Sequence, residues 1–280
     1  MGISYYIIGV LAFVIVLLEI AKLFIRPGKP DSGWDRGFSM TIGNCEVQED
    51  LGEVSVIPAG MMAVLSDGMG KAYGGRIASR IAVNTFVDIF EDYNAFHNPQ
   101  YYFRKAFHSA NKEILKALEG EERGAASVSS VLLRKGYLYY AVAGNVKICV
   151  YREKSLVPVS AGHTVAVLAE QRFYEGKLSR QDAVELLENH RLYNFLGRDG
   201  FQDIELFDAP IRLKHNDIVV LMSDGVYDLL GFKEVERVLE KQGSCQQMAL
   251  EIIEAVNRNN STAKDNASII LLRVRNGVTV

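Results

Sequence analysis

Two stretches of this 280-residue chain share one pattern: Ala63-Val64-Leu65-Ser66-Asp67-Gly68 and Val220-Leu221-Met222-Ser223-Asp224-Gly225 each run from an apolar segment into Ser-Asp-Gly. Alone, an Asp-Gly pair after a strand is a turn signal. Two copies in the same context suggest more, because an aspartate at the end of a buried strand is costly to desolvate unless a cation or a donor meets it. Glu49-Asp50 precedes the first copy, and Lys264-Asp265-Asn266 stands just before the last apolar run. If these four acidic elements converge, their carboxylates repel one another unless a cation lies between them. Carboxylate, carbonyl and water oxygens suit Mg2+ or Mn2+. Zinc fits less well, since His97, His108, His163, His190 and His215 show no ligand spacing. A phosphate loop at Gly70-Lys71 is excluded, with Leu65 where its first glycine belongs and Ala72 where Ser or Thr belongs. No G-x-S-x-G nucleophile turn is present.

Those carboxylates need a scaffold. Val54–Ile57, Met61–Ser66, Ser127–Arg134, Tyr137–Ala143, Val146–Arg152, Ile204–Phe207, Ile218–Ser223 and Ser268–Val274 are short runs rich in β-branched and aromatic residues, and they read as strands. Several follow one another through turns too short for a crossover helix, so antiparallel meanders are expected. Apolar residues from Phe103 to Leu118 and from Cys245 to Val256 repeat at helical spacing, and Gly75–Phe90 and Ser179–Glu188 are two further helices. Ser179 reads as an N-cap, with Asp182 three residues on. Gly68–Gly75 reads as a flexible turn entering a helix. Strand runs separated by helix pairs predict an α+β layered domain of antiparallel sheets covered by helices.

Composition bounds the function. A net charge of −3 gives no reason to expect a nucleic-acid partner. At 49% apolar and 23% charged, the chain is neither disordered nor collagen-like. Cys45, Cys149 and Cys245 are scattered, which fits a reducing compartment better than a disulfide framework. Ile3 to Leu18 carries no charge, and the apolar character continues to Ile25. As a helix this stretch would cover roughly 34 Å, enough to cross a hydrocarbon core. Residues 1–25 are therefore expected to be an uncleaved transmembrane anchor. Lys22, Arg26 and Lys29 follow the span and nothing basic precedes it, which puts the carboxyl side in the cytoplasm, attached to the cell membrane by a single pass. Residues 26–33 form a Pro/Gly linker, and the soluble domain is expected to be 34–280.

In the order Glu49-Asp50, Asp67-Gly68-Met69-Gly70, Ser223-Asp224-Gly225 and Asp265-Asn266, the sequence resembles the metal-dependent type 2C (PPM-type) serine/threonine protein phosphatases, bacterial-like members in particular. Gly124-Ala125-Ala126-Ser127, Gly176-Lys177-Leu178-Ser179 and Asn194-Phe195-Leu196-Gly197 extend the likeness from about Gly43 to Val274. The resemblance implies a four-layer α/β/β/α sandwich of two antiparallel sheets flanked by helices, here preceded by one transmembrane helix. It implies two Mn2+ or Mg2+ ions, with Asp67 bridging both and the Gly68 carbonyl completing one. Asp224 and Asp265 would hold the second ion, and Glu49 and Asp50 would act mostly through water. Asp67, Asp224 and Asp265 would thus carry catalysis. The substrates would be phosphoserine and phosphothreonine proteins, and an opposing serine/threonine kinase is expected as a partner.

Three positions depart from the family pattern. Cys45 stands five residues before Asp50, where the family's Arg grips the substrate phosphate, and Arg36, Lys71 and Arg76 are candidates to replace it. Gly144-Asn145-Val146-Lys147 has Asn145 in place of the Asp of a third metal site, so a third ion is expected to be weak or absent. Met69 replaces a proton-donating His of some relatives. These departures keep two other readings in play: a partner-switching phosphatase acting on a small transcription regulator, and a pseudophosphatase that binds phosphoproteins.

Overall fold

In the computed structural model, residues 34–274 are described except 93, 119–122, 190 and 242. The anchor and linker expected over 1–33 lie outside the described residues, among which no helix is long and apolar enough to cross a membrane.

Among the described residues, eleven strands make two sheets. In the first, β1 (Trp34–Thr41), β11 (Ala267–Val274), β10 (Ile218–Met222), β6 (Lys147–Arg152) and β7 (Ser155–Pro158) lie side by side in that order. The second runs β2 (Leu51–Ile57), β3 (Gly60–Gly70), β4 (Gly124–Arg134), β5 (Tyr137–Ala143) and β8 (Glu205–Leu206), with β9 (Ile211–Arg212) also pairing β5. Every pairing is antiparallel. The two-residue period of a strand explains the layering. Met61, Ala63 and Leu65 of β3 meet Val219, Leu221, Ile270 and Leu272 of the other sheet, forming the central apolar layer. The alternate residues Met62 and Val64 face α1 (Gly74–Asp92) and α2 (Pro99–Ala117) through Phe86, Phe103 and Phe107. On the far side, Val220, Met222, Ile269 and Leu271 pack on α5 (Asp224–Leu239) and α6 (Cys245–Arg258). With both faces of each sheet covered, the inner strands read as near-continuous apolar runs. The result is helices, sheet, sheet, helices, as expected. Two further helices, α3 (Val165–Tyr174) and α4 (Arg180–Leu186), follow β7, and Ser179 caps α4 by accepting from the Asp182 amide at 3.2 Å.

Three elements differ from the sequence reading. The β1 segment Trp-Asp-Arg-Gly-Phe-Ser-Met-Thr lacks a strand's composition, yet it pairs with β11 along its whole length, Trp34 opposite Val274 and Thr41 opposite Ala267. The stretch read as a turn after Gly68 continues β3 to Gly70, which pairs with Gly124. Asp224 opens the 16-residue helix α5, which bends at Gly231 where φ is +66°, instead of forming a simple turn.

Candidate metal centre

The four acidic elements meet at one end of the sandwich. Asp67 stands on β3 opposite Ser127, and Asp224 is the first residue of α5 beyond β10. Asp265 sits just before β11, and Glu49 and Asp50 just before β2. Close backbone approach explains two of the glycines. A Cβ on Gly68 would stand 2.2 Å from the Gly75 carbonyl oxygen, and one on Gly225 2.1 Å from that of Asn266. Any side chain there would push α1 or the Asp265 loop away from the cluster.

Neutral side chains hold the acids in place. Asn266 accepts from the Glu49 amide at 2.6 Å and donates to the carbonyls of Ile42 at 2.9 Å and Val47 at 3.1 Å. One amide side chain thereby fastens the whole 42–49 loop. Ser223 donates to Asp50 Oδ2 at 2.8 Å, and its own oxygen accepts from the Ser268 amide at 2.9 Å. Asn145 donates to Asp224 Oδ2 at 2.9 Å while accepting from the Ser127 hydroxyl at 2.7 Å. Behind it, His163 Nδ1 accepts from the Gly144 amide at 3.1 Å, and burial lowers its pKa, favouring the neutral ring.

The electrostatics are those of crowded anions. Burial, then the charges of Asp50, Asp224 and Asp265, pushes Asp67 well above the usual carboxylate range. Asp50 is buried and is pushed up to about 7, by burial above all and then by Asp224 and Asp265. Asp224 is raised by burial and by Asp265. Glu49 is raised by burial and by Asp265, with the amides of Arg76 and Gly75 opposing the shift. Glu49 Oε1 and Asp50 Oδ1 are buried oxygens with no hydrogen-bond partner. Buried acceptors without donors are what a hard cation satisfies, so these residues fit Mn2+ or Mg2+. Among the described residues no three His, Cys, Asp or Glu side chains gather tightly enough to hold an ion by themselves. Carbonyl and water oxygens would have to complete each shell, and the Gly68 carbonyl is the backbone candidate.

The positions that depart from the family pattern also resolve. The Cys45 thiol donates to Asp265 Oδ1 at 3.3 Å, so this position is at the centre but offers no cation. Of the candidate replacements, Arg36 pairs with Leu272 well down β1, away from the carboxylates, whereas Arg76 lines the groove that Asp50 also lines. Asn145, read only as a weakened metal position, is a donor to Asp224. The pinning role of Asn266 was not legible, because its partners lie more than 200 residues away.

Residues 40–261 match the family profile of Protein phosphatase 2C. A serine/threonine phosphatase of Listeria welshimeri is 23% identical over 217 residues, covering 75% of this chain and 83% of that protein. The S. agalactiae serine/threonine phosphatase superposes with a TM-score of 0.74 at 18% identity, over 86% of this chain and 100% of that one. The catalytic domain of the phosphatase PstP, solved with two manganese ions, superposes with a TM-score of 0.68 at 17% identity, over 87% and 99%. With its four acidic elements converged and the family profile spanning most of its length, this chain belongs to the protein phosphatase 2C family of serine/threonine phosphatases.

Proposed function

We propose that the protein hydrolyses phosphoserine and phosphothreonine in proteins with two divalent ions, held by Asp67, Asp224, Asp265, Glu49, Asp50 and the Gly68 carbonyl. When bound, such ions lower the pKa of a water and neutralise charge developing on the phosphoryl oxygens. The observation that carries the reading is Asp67 itself, buried and set against three other carboxylates, Asp50, Asp224 and Asp265, that come from three separate segments of the chain. The chain's own groups then have distinct tasks. Asp67, Asp50 and Asp224 must give up their protons for cations to enter. Asn145 keeps Asp224 turned toward the cluster, and Asn266 holds the loop that presents Glu49. A third ion would bind weakly, since Asn145 is neutral and its amide group is already engaged with Asp224. Met69 cannot donate a proton, so the leaving alkoxide takes one from solvent.

The anchor expected over residues 1–25 would tether this domain to the cytoplasmic face of a membrane, raising its effective concentration near membrane-associated phosphoproteins and near an opposing kinase. Trp34, where the described residues begin, pairs with Val274 at the strand ends remote from Thr41 and Ala267, beside which the carboxylates lie.

Phosphate release from a phosphothreonine peptide by the full-length chain tests the proposal. Turnover that requires Mn2+ and is abolished by Asp67→Asn is expected. Phosphopeptide capture without turnover would favour a binding module.

A further inference from the structure

A groove of about 460 Å3 runs from Asp50 between the end of β1 and the first turns of α1. Its lining includes three large apolar side chains left in solvent, Met40 at 42%, Ile42 at 40% and Tyr73 at 60% exposure. It also includes two exposed guanidinium side chains, Arg76 and Arg80. These are four residues apart, on one face of α1. Neither guanidinium meets a hydrogen-bonding or ion-pairing partner among the described residues. Besides Asp50, the only carboxylate in the lining is Glu46, which is exposed. So a chain whose net charge is −3 places two free cations and an apolar strip directly beside a cluster of carboxylates.

We infer that this groove is the track on which the substrate polypeptide lies, and that Arg76 and Arg80 select substrates with acidic residues flanking the phosphoresidue. The inference rests on the phosphatase reading above and names its substrate class. Charge complementarity identifies the occupant. Two unpartnered guanidinium groups attract anionic side chains, while the exposed Met40, Ile42 and Tyr73 can cover apolar side chains of the same segment. The spacing is specific. Residues four apart on a helix are about 6 Å apart along its axis. An extended peptide advances about 6.6 Å over two residues. Two acidic residues at alternate positions on one flank of the phosphoresidue would therefore meet Arg76 and Arg80 together. Arg76 lies nearer the centre, since it follows Gly75, where a Cβ would stand 2.4 Å from Glu49 Oε1.

The test uses the full-length chain with Mn2+ and phosphothreonine peptides that carry, on either flank, Glu-x-Glu, Gln-x-Gln or Lys-x-Lys. Turnover and peptide binding by fluorescence anisotropy are measured in parallel. On one flank, the native chain should prefer Glu-x-Glu over Gln-x-Gln by about fivefold in kcat/KM, as two exposed ion pairs would give. The difference should lie in KM and shrink in high salt. Arg76→Gln with Arg80→Gln should bring the ratio to one, and Arg76→Glu with Arg80→Glu should turn it toward Lys-x-Lys. Both side chains are exposed, so these substitutions spare the fold. Turnover with the same ratio in native and substituted chains would overturn the track and leave the phosphatase reading standing. No turnover, with an arginine-dependent preference still seen in anisotropy, would overturn the phosphatase reading and support the track. No preference in either measurement overturns the inference.

Discussion

Asn145 offers the sharpest perturbation of the centre. Its amide donates to Asp224 Oδ2 at 2.9 Å, a neutral group satisfying one oxygen of a crowded anion. Asn145→Asp removes the donor and sets a second carboxylate in its place at nearly the same distance. A hydrogen bond to a charged acceptor is worth about 1.5–3 kcal/mol. Two full charges 3 Å apart at an effective dielectric of 20 repel by about 5 kcal/mol. A proton on either carboxylate restores a donor and removes the repulsion, so the penalty is small near pH 4 and grows as pH rises. At pH 8 without metal, Asn145→Asp should cost at least about 3 kcal/mol, a drop of roughly 6–12 °C in Tm for a domain of this size. Adding Mn2+ should shrink the deficit, because the added carboxylate is then a ligand and no longer only a repelling neighbour. Asn145→Ala is the control: it loses the hydrogen bond without adding charge, so its deficit should grow less with pH than that of Asn145→Asp, and Mn2+ should narrow it less. Scanning fluorimetry of the three chains at pH 5 and pH 8, with and without Mn2+, reads all of this. A metal-free Asn145→Asp chain as stable as the native one at pH 8 would refute the reasoning.

Cys45→Arg should lower the KM for phosphopeptide by supplying a guanidinium at a position that touches Asp265; an unchanged or higher KM would mean that this position does not meet the phosphate. Asn266→Ala should cost about 2–3 kcal/mol in urea unfolding and weaken Mn2+ binding, since it frees the Glu49 amide and two loop carbonyls at once. The metal-free chain should also lose stability with rising pH. Asp50 titrates at about 7 when folded against an ordinary 3.8, so its contribution is whole below about pH 4 and is lost as pH climbs through 7. At 1.36 kcal/mol per unit this amounts to at most about 4 kcal/mol. Mn2+ should therefore raise Tm more at pH 8 than at pH 5, and a metal-free Tm that increases over that range would contradict the role given to burial.

What could be read from the chain alone follows from which interactions are local. The inner strands were legible because residues such as Ile218–Met222 are buried throughout and must be apolar on both faces. The helix over Cys245–Arg258 was legible because its six buried residues recur at helical spacing. The acidic residues stood out because carboxylates beside apolar runs are costly without a partner. Less visible was whatever depends on a distant neighbour. β1 is a strand because β11 lies beside it, not because Trp34–Thr41 favours the conformation. An Asp-Gly pair signals a turn locally, so the opening of α5 at Asp224 was hidden, as was the continuation of β3 past Asp67 that pairing with β4 imposes. In the same way, Asn145 read as a missing charge until Asp224, 79 residues on, appeared beside it as the acceptor of its proton.

The central claim is that Asp50, Asp67, Asp224 and Asp265 gather to hold a pair of divalent ions. Calorimetric titration of Mn2+ into the metal-free full-length chain at pH 8 tests it most directly. About two ions per chain are expected, with release of protons from the raised carboxylates, and both ions should be weakened together by Asp67→Asn. A chain that binds no Mn2+, or binds it equally well without the Asp67 carboxylate, would contradict the account.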